Sequence, residues 1–252
     1  MRSDALICFS KTGPVKFTGH LDLLKIFQKA IRRCGLPVNF SEGFNPHLRV
    51  AFALPLALGM EGMREYVVFE MGQAVAPEEI GGRLGAVLPA GITVAGVRYM
   101  TPGEKSPASE VCAADYELRF AGADADSGNN AENGAVNGET ERSETRSGDT
   151  RSGDLDYSCI AFAARALMDR NSIEVEKKSK NARAGSKTVD IRPDIYEIAA
   201  AGNTVTMRIA AGSARSLKPE LVAGVIAPGA EYTCVRLELL KRAGEGFAPL
   251  YA

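Results

Sequence analysis

Residues Gly19 to Met60 read GHLDLLKIFQKAIRRCGLPVNFSEGFNPHLRVAFALPLALGM. Two periods meet in that stretch. Leu23, Phe27, Ala30, Ile31 and Cys34 recur at i, i+4, i+7, i+8 and i+11, which predicts an amphipathic helix over Leu21 to Cys34. Thr18 suits the N-cap, Asp22 suits the positive end of the helix dipole, and Gly35 with Pro37 stops the helix. Beyond the stop, Val38 to Phe40 and Arg49 to Leu54 are short β-prone runs divided by a Gly- and Pro-containing loop.

Outward from this stretch the pattern continues on both sides. Ala5 to Phe9 is an apolar strand, followed by a Gly13-Pro14 turn and a continuation over Val15 to Phe17. Tyr66 to Met71 alternates as a strand, a helix starts at Pro77 and runs to Val87, and Thr93 to Tyr99 closes the unit after Pro89 and Gly91. The order β-α-β-β-α-β is the split βαβ, or ferredoxin-like, arrangement. The second half repeats it with strands over Tyr116–Phe120, Ser172–Lys178, Thr188–Ile198, Thr204–Ala210 and Tyr232–Leu240. Its helices span Tyr157–Met168, with Ile160, Ala164, Leu167 and Met168 on one face, and Leu217–Ile226, with Pro219 in the first turn where its missing amide is harmless.

The expected fold is therefore α+β, with two tandem ferredoxin-like sandwiches over residues 1–101 and 113–242 and a C-terminal tail over 243–252. Ala121 to Asp154 is rich in Gly, Asn, Ser, Thr and charge and nearly devoid of apolar residues. Such a segment cannot offset its ordering entropy by burial, so it is expected to be a disordered insertion within the second unit.

Composition removes several functional classes. The 252 residues carry 30 basic and 31 acidic side chains, so only the distribution of charge can speak for a polyanionic partner. There is no run of 18 apolar residues, and Met1 to Phe9 lacks a signal-peptide core. Cys8, Cys34, Cys112, Cys159 and Cys234 are dispersed, which reads as reduced thiols in a cytoplasmic protein. That spacing offers neither a structural zinc site nor an iron–sulfur cluster. No phosphate-cradling glycine signature occurs, and only His20 and His47 supply imidazoles. The expectation is a protein with no cofactor and no metal.

Charge gathers locally instead. Lys25, Lys29, Arg32 and Arg33 fall at i, i+4, i+7 and i+8, a basic stripe opposite the apolar one, and Met1 to Val50 holds eight basic against three acidic side chains. Such a patch attracts phosphates by counterion release, although basic stripes are also ordinary solvated faces. The loop Ser41-Glu42-Gly43-Phe44-Asn45-Pro46-His47 is longer and richer than a connecting hairpin requires. Phe44 could stack on a base or a flat ligand, or could plug the core edge while Asn45-Pro46 makes the turn. His20 and His47 flank this region and could serve as acid and base for RNA cleavage, or merely cap and hydrogen-bond. A second basic segment, Lys177 to Arg192, carries six basic residues and one acid; Asp190 beside Arg192 could meet a partner or hold the loop, and Lys187 could protect an edge strand.

These residues resemble the hallmark segment of the radical SAM-linked proteins, a bacterial family without an established activity. The likeness rests on Lys11-Thr12-Gly13, His20-Leu21-Asp22, Arg32-Arg33, Ser41, Gly43-Phe44-Asn45-Pro46-His47, Pro55-Leu56 with Leu58-Gly59, and Asp190-Ile191-Arg192-Pro193. Gly19 stands where serine is usual. The resemblance implies a protein encoded beside, or fused to, a radical SAM enzyme, often near a ribonuclease G-type gene and ribosomal protein genes. The iron–sulfur chemistry would then belong to that partner. The expected function is an accessory or substrate-recognition protein binding RNA or a ribonucleoprotein. The alternatives are a metal-independent RNA-processing enzyme using His20 and His47, and a structural scaffold.

Overall fold

The change of period within Gly19–Met60 is realised as a helix that packs on a sheet. The structure, a computed structural model, describes residues 3–121, 157–178 and 186–251. The first half contains β1 (Ser3–Lys11), α1 (His20–Cys34), β2 (Val50–Phe52), β3 (Glu61–Met71), α2 (Pro77–Gly85) and β4 (Ile92–Tyr99). A short α3 (Pro107–Glu110) leads into the second half. There β5 (Val111–Phe120), α4 (Tyr157–Met168), β6 (Glu174–Lys178), β7 (Ser186–Asp190), β8 (Ile195–Ala201), β9 (Thr204–Ala210), α5 (Pro219–Ile226), β10 (Tyr232–Ala243) and β11 (Gly246–Pro249) follow.

The protein is α+β, with one large mixed sheet and five α-helices among the described residues. In the first half β1 pairs antiparallel with both β3 and β4, and β2 pairs antiparallel with β3, giving the order β4-β1-β3-β2. In the second half β5 pairs antiparallel with β10 and β9, and β8 with β9, giving β10-β5-β9-β8. A short parallel ladder, Val235 to Glu61 and Arg236 to Gly62, fuses the two sets into one nine-stranded sheet. The hairpin β6–β7 forms a separate two-stranded sheet.

Strand alternation divides the core. On β1, Ala5, Ile7 and Phe9 meet Leu23, Phe27, Ala30 and Ile31 of α1 and Ile80 and Leu84 of α2. Phe27 sits at the centre of that layer, edge-on to Phe9 at 4.9 Å and to Phe69 at 6.2 Å. The opposite face of β1, Leu6 and Cys8, joins a core shared by both halves, with Tyr66, Leu239, Leu118 and the α4 and α5 side chains Ile160, Leu167 and Val222.

Several boundaries differ from expectation. Val15–Phe17 does not extend β1: Gly13, at φ +66°, and Pro14 start a 3-10 turn over Gly13–Phe17. Thr18 closes that turn through its amide (2.9 Å to the Val15 carbonyl) and gives its own carbonyl to Lys11, so Gly19 becomes the N-cap of α1. Gly35 ends α1 in the left-handed conformation, as its position predicts. Val38–Phe40 contributes isolated bridges only. The expected strand over Thr188–Ile198 is two strands in different sheets, because Arg192–Asp194 forms a 3-10 turn around Pro193. Residues 246–249, read as part of a tail, pair with β10 as β11, and Leu250 is buried behind them. The expected insertion over Ala121–Asp154 lies outside the described residues, apart from Ala121. Among the described residues no helix is long and apolar enough to cross a membrane.

Candidate functional site

The motif residues divide into those spent inside the fold and those turned outward. Lys11, at the end of β1, is 1% exposed. Its ammonium donates to the carbonyls of Thr18 (2.8 Å) and Lys16 (3.2 Å), tying the 3-10 turn to the sheet. Burial lowers its pKa, an effect that the nearby Glu65 carboxylate opposes. Lys11 therefore holds a corner rather than offering a free cation.

Beside it lies a charge pair that joins the halves. Arg236 of β10 donates from Nε (2.8 Å) and Nη2 (2.6 Å) to the two carboxylate oxygens of Glu65 on β3, and the side chains are 3% and 4% exposed. Its remaining donors reach the carbonyls of Leu54 (3.1 Å) and Pro55 (3.3 Å), so the Pro55-Leu56 end of the motif is gripped from beneath. Burial by itself would lower the Arg236 pKa, and the Glu65 carboxylate more than reverses that. Tyr116 lies against the guanidinium and has its own pKa raised by burial. On the shared core face Tyr66 donates to Glu238 (2.5 Å), which also pairs with Arg64 (2.6 Å).

This buried frame presents an apolar exterior. Gly59 donates to the Lys16 carbonyl (3.0 Å) and Gly13 to Glu61 (3.0 Å), so the 3-10 turn and the Pro55–Gly59 loop are one unit. Phe17 and Leu58 stand out from it at 67% and 68% exposure, with Met63 at 45%.

α1 is arranged the ordinary way round. Its apolar stripe is buried, and Lys25, Lys29, Arg32 and Arg33 point to solvent. Lys25 pairs with Asp22 at 3.1 Å, and Arg33 donates to the Val87 carbonyl at 2.7 Å. Among the described residues Lys29 and Arg32 have no carboxylate partner. Lys29, Arg32 and Arg33 rim a recess of about 490 Å³ floored by Ile26 and Pro89.

The Ser41–His47 loop closes on itself. Ser41 donates its amide to the His47 carbonyl (2.8 Å), accepts the His47 amide on Oγ (3.1 Å) and contacts His47 Nδ1 (2.8 Å). Gly43 adopts φ +115°, and Phe44 at the tip is fully exposed; it does not plug the core edge. Glu42, Asn45 and Pro46 are exposed beside it. His47 lines a cleft of about 490 Å³ with Arg49, Phe52, Val68 and Pro107. His20 has its ring edge-on to Phe52 at 5.4 Å. No hydrogen bond joins the two imidazoles.

The later motif element is also engaged in bracing the fold. Asp190 accepts the amides of Ile173 (2.8 Å) and Arg192 (3.0 Å), which lower its pKa and lock the base of the β6–β7 hairpin. Arg192 donates to the carbonyls of Arg170, Ile195 and Met168, each at 3.0 Å, stapling the end of α4 to β8. Lys187 is exposed on β7. The tip of that hairpin, residues 179–185, lies outside the described residues.

Sequence reading missed Glu65, Arg236, Tyr116 and Phe17, and it named Leu58 only as part of the motif, not as a site residue. A charge inside an alternating strand, such as Glu65 in EGMREYVVFEM, was the available signal for the buried pair. Among the described residues no three His, Cys, Asp or Glu side chains gather as metal ligands.

No curated protein matches the chain. A crystal structure of an unknown protein from Galdieria sulphuraria is similar over 93% of this chain and 98% of that one, at 12% identity and a TM-score of 0.26. Residues 5–219 match the family described as "Uncharacterized protein conserved in bacteria" (DUF2344), a span that takes in every motif element from Lys11 to Pro193. The chain belongs to that family.

Proposed function

We propose that this protein is a non-catalytic accessory that binds RNA or a ribonucleoprotein and presents it to a radical SAM enzyme. One observation carries the reading: α1 buries its apolar stripe and leaves Lys29 and Arg32 outward, without carboxylate partners among the described residues, beside an apolar floor. Unpaired cations at helical spacing suit phosphates, and Ile26 with Pro89 suits a base face. The fully exposed Phe44, on a loop braced by Ser41 and His47, adds a second stacking surface. The strand orders β4-β1-β3-β2 and β10-β5-β9-β8 support a scaffold of two ferredoxin-like units, the second interrupted by β6–β7. The partnership with a radical SAM enzyme rests on the resemblance of the motif segment.

Binding is measured by fluorescence anisotropy with a labelled structured RNA between 50 and 200 mM salt. The expected result is an affinity that falls steeply with salt, with a log–log slope of about −0.7 to −0.9 per phosphate contacted. Lys29→Glu with Arg32→Glu weakens it at least tenfold. Salt-independent binding, or none at micromolar protein, removes the RNA reading. The partnership is tested by mixing this chain with the purified radical SAM enzyme encoded beside it; failure to co-elute at micromolar concentrations removes it.

A further inference from the structure

At the seam of the sheet one lane holds no strand among the described residues. The parallel ladder between β10 and β3 begins only at Val235 and Glu61. Ahead of it, β10 still pairs with β5 on one side, Tyr232 to Phe120, Thr233 to Arg119 and Cys234 to Leu118. On the other side the chain turns away through Ala57–Met60, and a groove of about 760 Å³ fills the space where β3 would have extended. The Ala121 amide donates to the Glu231 carbonyl, so the alternation of antiparallel pairing turns the main-chain groups of Tyr232 toward this groove. An open strand edge is a template for another strand, and folded proteins normally cover or blunt it.

Here the surroundings are apolar and fixed. Phe17, Leu58 and Met63 line the groove at 67%, 68% and 45% exposure, with Tyr232 and Val235 on the opposite wall. The loops that carry them are held by Lys11 and Arg236 from the buried side, so little order has to be created on binding. On the rim, Lys16 pairs with Glu61 (3.7 Å) and Arg119 with Glu117 (2.9 Å). Glu220 is left without a cationic partner among the described residues. A second copy of the chain does not fit well, since three side chains offer far less than the roughly 800 Å² per partner of a stable dimer.

We infer that this groove receives an extended peptide segment of a partner protein, added as a short strand beside Tyr232–Cys234. Its alternate apolar side chains rest on Phe17, Leu58 and Met63, and a lysine or arginine at one end faces Glu220. The surface is separate from the α1 face, so RNA binding and peptide docking are independent activities of one molecule.

The test pans a random 12-residue peptide library against the purified full chain, then measures synthetic copies of the enriched peptides. The expected peptides alternate apolar residues, bind at micromolar concentrations and lose at least tenfold with Leu58→Ser or Phe17→Ser. N-methylation of alternate peptide amides causes a comparable loss. Both substituted side chains are exposed, so circular dichroism should be unchanged; Met63→Lys serves if either variant misfolds. RNA affinity should not respond to Leu58→Ser. No enrichment, binding indifferent to Leu58→Ser and Phe17→Ser, or binding indifferent to N-methylation overturns the proposal. So does self-association of the chain that Leu58→Ser abolishes, which would make the occupant a second copy.

Discussion

Two neighbouring parts of the first half solve opposite problems. α1 puts Leu23, Phe27, Ala30 and Ile31 inside and Lys29 and Arg32 outside. The corner built from residues 11–17 and 54–65 does the reverse, burying Lys11 and Glu65 with Arg236 and exposing Phe17, Leu58 and Met63. Burying charge is costly unless it is paired and hydrogen-bonded, and here all three guanidinium nitrogens of Arg236 and both carboxylate oxygens of Glu65 have partners. The difference shows that motif residues can define a surface from behind. The motif lysine and the motif loop meet at the corner, and what they present outward is apolar.

The contrast can be broken at its strongest point first. Arg236→Met should destabilise the protein by about 3–5 kcal/mol, because the buried Glu65 carboxylate loses the guanidinium that both its oxygens accept from. The double change Glu65→Leu with Arg236→Met should recover most of that loss in chemical denaturation; recovery is the outcome expected of a pair rather than of lost packing. Phe27→Ala, from the centre of the α1 layer, should cost about 3–5 kcal/mol, whereas Phe17→Ser at the corner should lie within about 0.5 kcal/mol of wild type. Equal losses at the two phenylalanines would end the idea of an inverted corner.

A smaller effect concerns acid. Glu104 receives both Arg98 guanidinium nitrogens, at 2.6 and 3.0 Å, and the Thr101 amide at 2.9 Å. The Arg98 hydrogen bond first, and the Thr101 amide with it, hold the Glu104 pKa down to about 2 from the usual 4.5. A carboxylate with a depressed folded-state pKa stabilises fully above 4.5, and the contribution is lost as pH falls toward 2. Glu104→Gln should flatten the stability–pH curve across that window, and an unchanged curve would show the pair to be idle. The smallest change is Phe44→Ala, which should leave the unfolding midpoint unmoved while weakening RNA binding by about 1–3 kcal/mol.

What could be read in advance follows the same division. α1 was legible because its apolar period and its Gly35 stop are local signals. The order of strands and helices was legible for the same reason, through alternation in Tyr66–Met71 and Thr204–Ala210. The continuation over Val15–Phe17 failed because Gly13-Pro14 opens a 3-10 turn that periodicity does not register. Thr188–Ile198 failed because β-prone residues on both sides of Pro193 mask a change of sheet. For Asp190 the sequence left open meeting a partner or holding the loop, and its bonds to the Ile173 and Arg192 amides hold the loop. The roles of Lys11 and Arg192 were hidden for a different reason. Their partners are backbone carbonyls of other segments, which no side-chain pattern reveals. Glu65 inside an alternating strand signals a buried charge, but its partner Arg236 lies 171 positions away, where no local pattern identifies it.

That separation has a temporal side. During synthesis at about 5–20 residues per second, Glu65 leaves the ribosome roughly 10–30 s before Arg236 exists to meet it. Through that interval the nascent first half carries a buried-pair carboxylate with no guanidinium, and β3 lacks its parallel neighbour at Glu61–Gly62. Ribosome-arrested chains ending before β10 should therefore be cut by protease within Glu61–Met71, and chains extended past Ala243 should resist.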